Sequence, residues 1–244
     1  MFKLKVMDFF INNQELLWFL VVFYDLTLVI LLYRFFGKYG LYAAVILGII
    51  LGNLQGGKIS ELQIFGTSIN VSMGAILYSG IYFATDLLNE KFGKNEANRA
   101  VYLGFFANIA VMITLWLSIN FLPSSLSGSA LEVHTAISTL AQYSPIFIIG
   151  SLMAYLASQT FDVWFFNYLK EKTDGKKLWL RNNLSTMTSQ LIDTLIYQFT
   201  WVIATDLTFA EAFGLAVVKY IFKFIIAIVD TVFIYIVRGW KVPE

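Results

Sequence analysis

Long apolar runs separated by short polar segments recur along the whole chain. A helix rises 1.5 Å per residue, so ~17–25 apolar residues cover a hydrocarbon core roughly 30 Å thick. We therefore predict an all-α integral membrane protein with about seven transmembrane helices. They are placed at residues 16–35, 41–54, 71–88, 97–121, 140–169, 185–205 and 209–237. Residues 1–15 are expected to be an N-terminal segment, and residues 16–238 a single transmembrane domain.

Two local patterns add detail to this prediction. The second helix is short, and its Gly48 and Gly52 favour close packing against another helix. After it, apolar and polar residues alternate from Ile59 to Ile64 and lead to Gly66. This alternation predicts a small hairpin or re-entrant segment at one membrane surface.

Composition agrees with a membrane protein and excludes several other classes. Apolar residues make up 58% of the 244 positions and charged residues 14%, whereas soluble domains have about 45–50% and 25%. The chain has no cysteine and one histidine, His134, so we expect no metal site and no cofactor. His134 is predicted to be a solvated loop residue. A net charge of +1 gives no electrostatic footprint for nucleic acid, and the expected partner is the lipid bilayer.

Basic residues are concentrated on one side of the predicted bundle. Twelve fall in the loops after the first, third and fifth helices or at the C-terminus, against three on the other side. The twelve are Arg34, Lys38, Lys91, Lys94, Arg99, Lys170, Lys172, Lys176, Lys177, Arg181, Arg238 and Lys241. Because basic loops remain in the cytoplasm, we predict an outer N-terminus and a cytoplasmic C-terminus in the cell membrane.

Polar side chains inside the predicted helices fall in one layer. At 1.5 Å per residue, most of them lie about 12 Å from the cytoplasmic edge. The layer contains Asp25, Asp86, Asn108, Asp162, Asp193 and Asp230. A buried Asp costs about 2.5–3.5 kcal/mol on insertion scales, so several carboxylates in one layer indicate a function rather than packing alone.

Two neighbouring helices share one pattern, SQTFDVWFF (158–166) and SQLIDTLIY (189–197). In each segment Gln and Asp are three positions apart and lie on one helix face. The resulting amide–carboxylate pairs are Gln159 with Asp162 and Gln190 with Asp193. Such groups with aromatic neighbours suit a small, planar, polar ring, and they also suit amino acids or cations. The residues alone therefore indicate a transporter or channel for a small polar solute.

Lys219 and Lys223 lie four positions apart on one face of the last helix, nearer the outside than the carboxylates. Structural counter-ions to some of the Asp residues are one interpretation of these lysines. Donors to a bound solute are the other. The residues alone leave both open.

Several motifs together resemble the queuosine-precursor transporter family, also called the vitamin-uptake-transporter family. They are GNLQGGK (52–58), ATDLLNEKFGKNEANRAV (84–101), SQTFDVWFFNYLK (158–170), LWLRNNLSTMTSQLIDTLIYQ (178–198) and KFIIAIVDTVFIYI (223–236). The resemblance runs in order over residues 40–238. It implies a six-helix core to which the helix at 16–35 is added, as in longer bacterial members.

The resemblance implies import of a 7-deazaguanine precursor of the tRNA nucleoside queuosine. The solute, a small planar heterocycle, would be the cyano form, the aminomethyl form or queuine. One carboxylate can accept its ring N–H and exocyclic amine side by side. The expected substrate-binding residues are Asn53, Asp86, Asn108, Gln159, Asp162, Gln190, Asp193, Lys223 and Asp230.

Two alternative functions belong to other classes. The first is the substrate-binding membrane subunit of an ATP-driven vitamin importer, although the first helices lack an evident docking stripe of small residues. Such a subunit needs partner proteins, so transport by the purified protein alone in liposomes would argue against this alternative. The second is an intramembrane aspartyl protease that would use Asp162 and Asp193. The sequence contains no Gly-x-Gly-Asp motif, which argues against this function. We therefore predict that the protein is not an enzyme.

The predicted orientation can be tested with cysteines introduced into the cysteine-free chain. A cysteine in the loop at 170–178 is expected to be protected from an impermeant thiol reagent applied to intact cells, because that loop is cytoplasmic. A cysteine near Ser127 is expected to be labelled. The reverse labelling pattern would contradict the orientation.

Overall fold

The computed structural model describes residues 9–64, 67–125, 128–141 and 145–241. Its helices are α1 (Gln14–Leu54), α2 (Met73–Phe92), α3 (Lys94–Ser118), α4 (Ala130–Ala141), α5 (Pro145–Lys172), α6 (Leu178–Ala204) and α7 (Phe209–Arg238). Strands β1 (Ile59–Ile64) and β2 (Thr67–Ser72) form one hairpin. Four of the described helices, α1, α3, α5 and α7, are long and apolar enough to cross a membrane. The chain is therefore an α-helical membrane protein.

Helix α1 reverses direction at Gly37 and consists of two arms, residues 14–36 and 38–54. Gly37 has φ +56°, a left-handed conformation that glycine adopts without a steric penalty. Gly40, just after the reversal, lies directly against the backbone of Leu32. In an uninterrupted helix, residues eight positions apart would be separated by about 12 Å. The two arms are therefore antiparallel, and the break falls between the first two predicted helices.

The second arm of α1 packs against α2 through two glycines. A Cβ atom on Gly48 would lie 2.6 Å from the side chain of Ile81, and one on Gly52 would lie 2.8 Å from the Tyr78 ring. These distances leave no room for a larger residue. The close packing predicted for Gly48 and Gly52 is therefore confirmed.

The predicted hairpin is also confirmed. Strands β1 and β2 pair antiparallel, with Ile59 opposite Ser72, and the predicted turn residue Gly66 lies outside the described residues. The carboxylate of Glu15, at the start of α1, accepts a hydrogen bond from the backbone N–H of Gln63 at 2.7 Å. The hairpin therefore lies at the end of the bundle where α1 begins.

Two helix starts differ from the sequence prediction. The run at 140–169 is divided between α4 and α5, because Pro145 lacks an N–H group and favours the first turn of a new helix. His134, predicted to be in a loop, lies on α4. Helix α6 begins at Leu178 rather than Ser185, since the polar residues that suggested a loop are buried helical residues.

Helix α6 is polar toward the interior of the bundle and apolar toward the outside. Its buried polar residues recur every three or four positions and are Arg181, Asn182, Ser185, Thr186, Ser189, Gln190, Asp193, Thr194, Gln198 and Thr200. Leu184, Leu191 and Leu195 are exposed on the other side. Lipid tails offer no hydrogen bonds, so this polar face is stable only against polar groups of other helices.

The end of α2 is held to α5, α6 and α7 by charged side chains. The fully buried Arg181 donates to both carboxylate oxygens of Glu90 at 2.7 Å. Lys170 lies 3.2 Å from the same carboxylate, and Lys91 donates to the carbonyl oxygen of Arg238 at 2.6 Å. Basic residues from three of the predicted cytoplasmic segments therefore meet at one end of the bundle, called here the basic end.

Loss of the Glu90 carboxylate is expected to destabilise the fold strongly. Glu90→Ala leaves Arg181 as a buried charge without its partner, which costs about 3–5 kcal/mol. The control Lys170→Ala removes a partly exposed contact worth about 0–1 kcal/mol. Thermal unfolding of the purified protein in detergent measures both variants. Equal melting temperatures for the two would contradict this structural role of Glu90.

Candidate functional site

A cavity of about 220 Å³ lies beside the hairpin, bounded by residues of α1, α2, α5, α6 and α7. The polar and aromatic residues that line it are Asn53, Asn70, Ser72, Tyr78, Ser151, Asp193, Tyr197, Trp201, Lys219 and Lys223. Drug-sized ligands occupy pockets of roughly 300–1,000 Å³. The smaller volume of this cavity therefore suits a compact solute.

Asp193 and Lys223 form a buried ion pair in the wall of this cavity. The Lys223 Nζ lies 2.5 Å from the Asp193 Oδ2 and donates a second hydrogen bond to the Thr194 hydroxyl at 3.1 Å. Each side chain is less than 10% exposed, so either charge alone would be costly. The counter-ion interpretation is confirmed for Lys223. Lys223 uses one acceptor position of the Asp193 Oδ2, so Oδ1 and the second position of Oδ2 remain available to accept two donors from a solute.

Aromatic rings adjoin this ion pair. The Lys219 Nζ lies 5.3 Å from the ring centroid of Tyr197 and 5.4 Å from that of Trp201, which are cation–π distances. It also donates to the Gln198 Oε1 at 3.1 Å. The buried indole N–H of Trp201 has no hydrogen-bond partner among the described residues. Tyr197 and Trp201 follow Asp193 by four and eight positions, so α6 presents the acid and both rings to one space.

A chain of hydrogen-bonded side chains forms another part of the wall. The Ser151 hydroxyl donates to the Asn53 Oδ1 at 2.5 Å and lies 2.9 Å from the Tyr78 hydroxyl. The Asn53 Nδ2 donates to the carbonyl oxygen of Ile49 at 2.9 Å. Sequence reasoning selected Asn53 but missed Ser151 and Tyr78. A single serine or tyrosine in an apolar run has no spacing pattern that would distinguish it.

A second group of polar residues lies along α6 between Asp193 and the basic end. We call its three carboxyl groups, Asp86, Asp162 and Asp230, the acid cluster. Each accepts one hydrogen bond from α6: Thr186 donates to Asp86 at 2.9 Å, Ser189 to Asp162 at 2.8 Å, and Asn182 to Asp230 at 2.8 Å. The second oxygen of each carboxyl group has no hydrogen-bond partner in the described part of the chain.

The predicted site residues thus divide between the two groups. Asn53, Asp193 and Lys223 line the cavity, whereas Asp86, Asp162 and Asp230 form the acid cluster. The remaining three are buried amides away from the cavity lining. Gln159 accepts from Thr85 at 3.1 Å, and Asn108 and Gln190 each have a side-chain oxygen without a partner among the described residues.

The predicted common depth of Asp162 and Asp193 is wrong. Depth was counted from Ser185, but α6 starts at Leu178, so Asp193 lies about 22 Å along the helix. Asp162 instead accepts a hydrogen bond from Ser189, one turn closer to the basic end. The single predicted layer is therefore two sites at different depths.

Comparison with known proteins identifies relatives over most of the chain. A sequence model of the family described as "Putative vitamin uptake transporter" matches residues 72–237. The chain is 33% identical over 226 residues to a "Probable queuosine precursor transporter" of Bacillus subtilis (strain 168), covering 92% of this chain and 93% of that protein. It is 28% identical over 172 residues to the "Queuosine precursor transporter" of Escherichia coli (strain K12), covering 69% and 73%. No solved structure matches the chain significantly.

Proposed function

Because the chain belongs to the queuosine-precursor transporter family, we propose that it imports a 7-deazaguanine precursor of queuosine through the cavity at Asp193 and Lys223. One observation carries this proposal. A compact cavity combines a carboxylate, two lysines and the rings of Tyr197 and Trp201. These are the groups that a flat, polar heterocycle needs.

The chemistry of a 7-deazaguanine matches this wall group by group. Its ring N–H and exocyclic amine are neighbouring donors, which the Asp193 carboxylate accepts. Its carbonyl oxygen accepts from an ammonium such as that of Lys219. Tyr197 or Trp201 offers a face for stacking, which is worth about 1–3 kcal/mol per base in nucleic-acid complexes. The match supports substrate binding at this cavity.

The charges of the cavity favour one of the precursors. Its charged lining residues are Asp193, Lys219 and Lys223, so two cations face one anion. An aminomethyl group carries a further positive charge, whereas a cyano group is neutral. We expect the cyano form to be imported in preference to the aminomethyl form, because the latter would meet uncompensated lysine charge.

The same proposal includes an arrangement in the cell membrane. Seven crossings are made by the two arms of α1 and by α2, α3, α5, α6 and α7. The basic end faces the cytoplasm, the N-terminus lies outside, and the C-terminus lies inside, as basic loops require. The cavity beside the hairpin is then nearer the outer surface, where a solute arrives.

The proposed activity is tested in a bacterial strain that neither makes queuosine nor has its own precursor transporter. Cells that express the protein are fed the cyano form, the aminomethyl form or queuine at low concentration, and queuosine in tRNA is measured. We expect expression to raise the queuosine level most with the cyano form. Protein present in the membrane without a rise for any precursor would contradict the proposal.

Asp193→Asn is expected to raise the apparent KM for precursor uptake. An amide presents donors where the solute also has donors, and the mismatch costs about 1–3 kcal/mol, or roughly tenfold to hundredfold in affinity. The exposed Asp206→Asn is the control and should leave uptake unchanged. Uptake of labelled precursor is measured at several concentrations and normalised to membrane protein.

A double variant separates substrate binding from folding. Asp193→Asn alone leaves the Lys223 charge buried without its partner, which can lower the amount of protein in the membrane. Asp193→Asn with Lys223→Gln removes both charges and should restore that amount while uptake stays impaired. Normal uptake by the double variant would show that the ion pair serves the fold alone.

A further inference from the structure

The buried acids of the bundle differ in how their charge is compensated. Glu90 is paired with Arg181 and Asp193 with Lys223. The three carboxyl groups of the acid cluster are at most 1% exposed, and in the described chain none of them has a lysine, arginine or histidine within ion-pair distance. Several uncompensated anions in a membrane interior are strongly unfavourable. A cation from solution is therefore required to neutralise part of this charge.

The placement of Asp86 and Asp162 indicates which cation this is. They accept hydrogen bonds from Thr186 and Ser189, which lie three positions apart on one face of α6, so the two buried carboxyl groups are neighbours. Two neighbouring carboxylates repel, whereas protonation of one removes this repulsion and supplies an O–H donor. The geometry therefore favours a proton.

A hydroxyl group at the pair is also without a partner. Ser185 is fully buried on α6 and lies one turn before Ser189, which donates to the Asp162 carboxyl group. Its Oγ has no hydrogen-bond partner in the part of the chain that the structure describes. A free hydroxyl can donate to a carboxylate and can accept from a carboxylic acid. Ser185 is therefore suited to both protonation states of the pair.

We propose that the Asp86–Asp162 pair binds one proton and couples its movement to that of the solute, an inference that rests on the proposed transport function. A proton from the outer water forms an O–H bond with one carboxylate oxygen. The same bond breaks when the proton passes to the cytoplasmic water. No other reactant is consumed, and one proton accompanies each solute molecule.

Polar side chains connect the pair with the cavity. Tyr82 lies one turn after the cavity residue Tyr78 on α2. Its hydroxyl donates to the Ser158 Oγ at 2.9 Å, and Ser158 lies one turn before Asp162 on α5. One turn further along α2, Thr85 donates to the Gln159 side chain. Occupancy of the cavity and protonation of the pair therefore act on the same helices, α2, α5 and α6.

Other buried or ion-paired titratable groups lie on the helices that carry or contact the pair. Among them are Asp25 on α1, Tyr82 and Glu90 on α2, Lys170 on α5, Arg181 and Asp193 on α6, and Lys223 and Asp230 on α7. Glu90 and Asp193 are already paired with cations. Asp230 accepts a hydrogen bond from Asn182, one turn before Thr186 on α6, so a third carboxyl group lies beside the pair.

The inference is tested with purified protein in liposomes and labelled 7-cyano-7-deazaguanine. An inward proton gradient of one pH unit supplies 1.36 kcal/mol per proton, enough for about tenfold accumulation of a neutral solute at one proton per molecule. Asp86→Asn and Asp162→Asn are expected to abolish this accumulation and to retain exchange of internal for external solute, which needs no net proton movement. Asp25 is a buried acid outside the cluster. Asp25→Asn is therefore the matched control and should retain both accumulation and exchange of the solute.

Two results would overturn the inference while leaving the transport function intact. One is wild-type protein that exchanges solute but does not accumulate it under the gradient. The other is accumulation by both cluster variants equal to that of wild type. In either case the Asp86–Asp162 pair does not carry the coupling proton.

If wild-type protein exchanges no precursor, the proposed function itself fails, and an infrared titration of the purified protein decides on the proton site. A carboxylic-acid C=O stretch that disappears as the pH rises, and that is missing from Asp86→Asn and Asp162→Asn, would support proton binding at the pair. A wild-type spectrum without such a band would overturn it.

Discussion

The structure depends on keeping the polar face of α6 away from lipid. A helix with buried amides, hydroxyls, an arginine and an aspartate every three or four positions cannot face hydrocarbon, because none of these groups would find a hydrogen-bond partner there. Helices α2, α5 and α7 each supply a carboxyl group that satisfies part of this face, namely Asp86, Asp162 and Asp230. The arrangement of the bundle follows from this requirement.

The residues of α6 change in chemical character from one end to the other. Arg181 fastens the helix to Glu90 at the basic end, the next two turns contact the acid cluster, and Asp193 reaches the cavity with Lys223. The proposals made above thus place solute recognition and proton binding on successive turns of one helix, next to the turn that Arg181 fastens to Glu90. A shift of α6 along its axis would alter all three together, which provides a physical basis for coupling between them.

The sequence predicted the membrane class, the close packing at the glycines and the burial of the carboxylates. Each of these features leaves a pattern within one segment. Gly48 and Gly52, for example, are four positions apart in an apolar run. The structure adds the contacts between residues of different segments, which no local pattern in the sequence predicts. Asp193 and Lys223 are 30 positions apart, and nothing local indicates that they pair. The start of α6 was misplaced because polar residues buried against other polar residues resemble a loop in the sequence.

The central claim, that the polar face of α6 lines the solute path, is tested most directly by scanning α6 with single cysteines in this naturally cysteine-free chain. Reaction with a small water-soluble thiol reagent is measured with and without the cyano precursor. We predict that cysteines at Asp193, Tyr197 and Trp201, which line the cavity, react, and that the precursor protects those at Tyr197 and Trp201. Cysteines at Leu184, Leu191 and Leu195 should react poorly and without protection. Reaction and protection confined to the leucine positions would contradict the account.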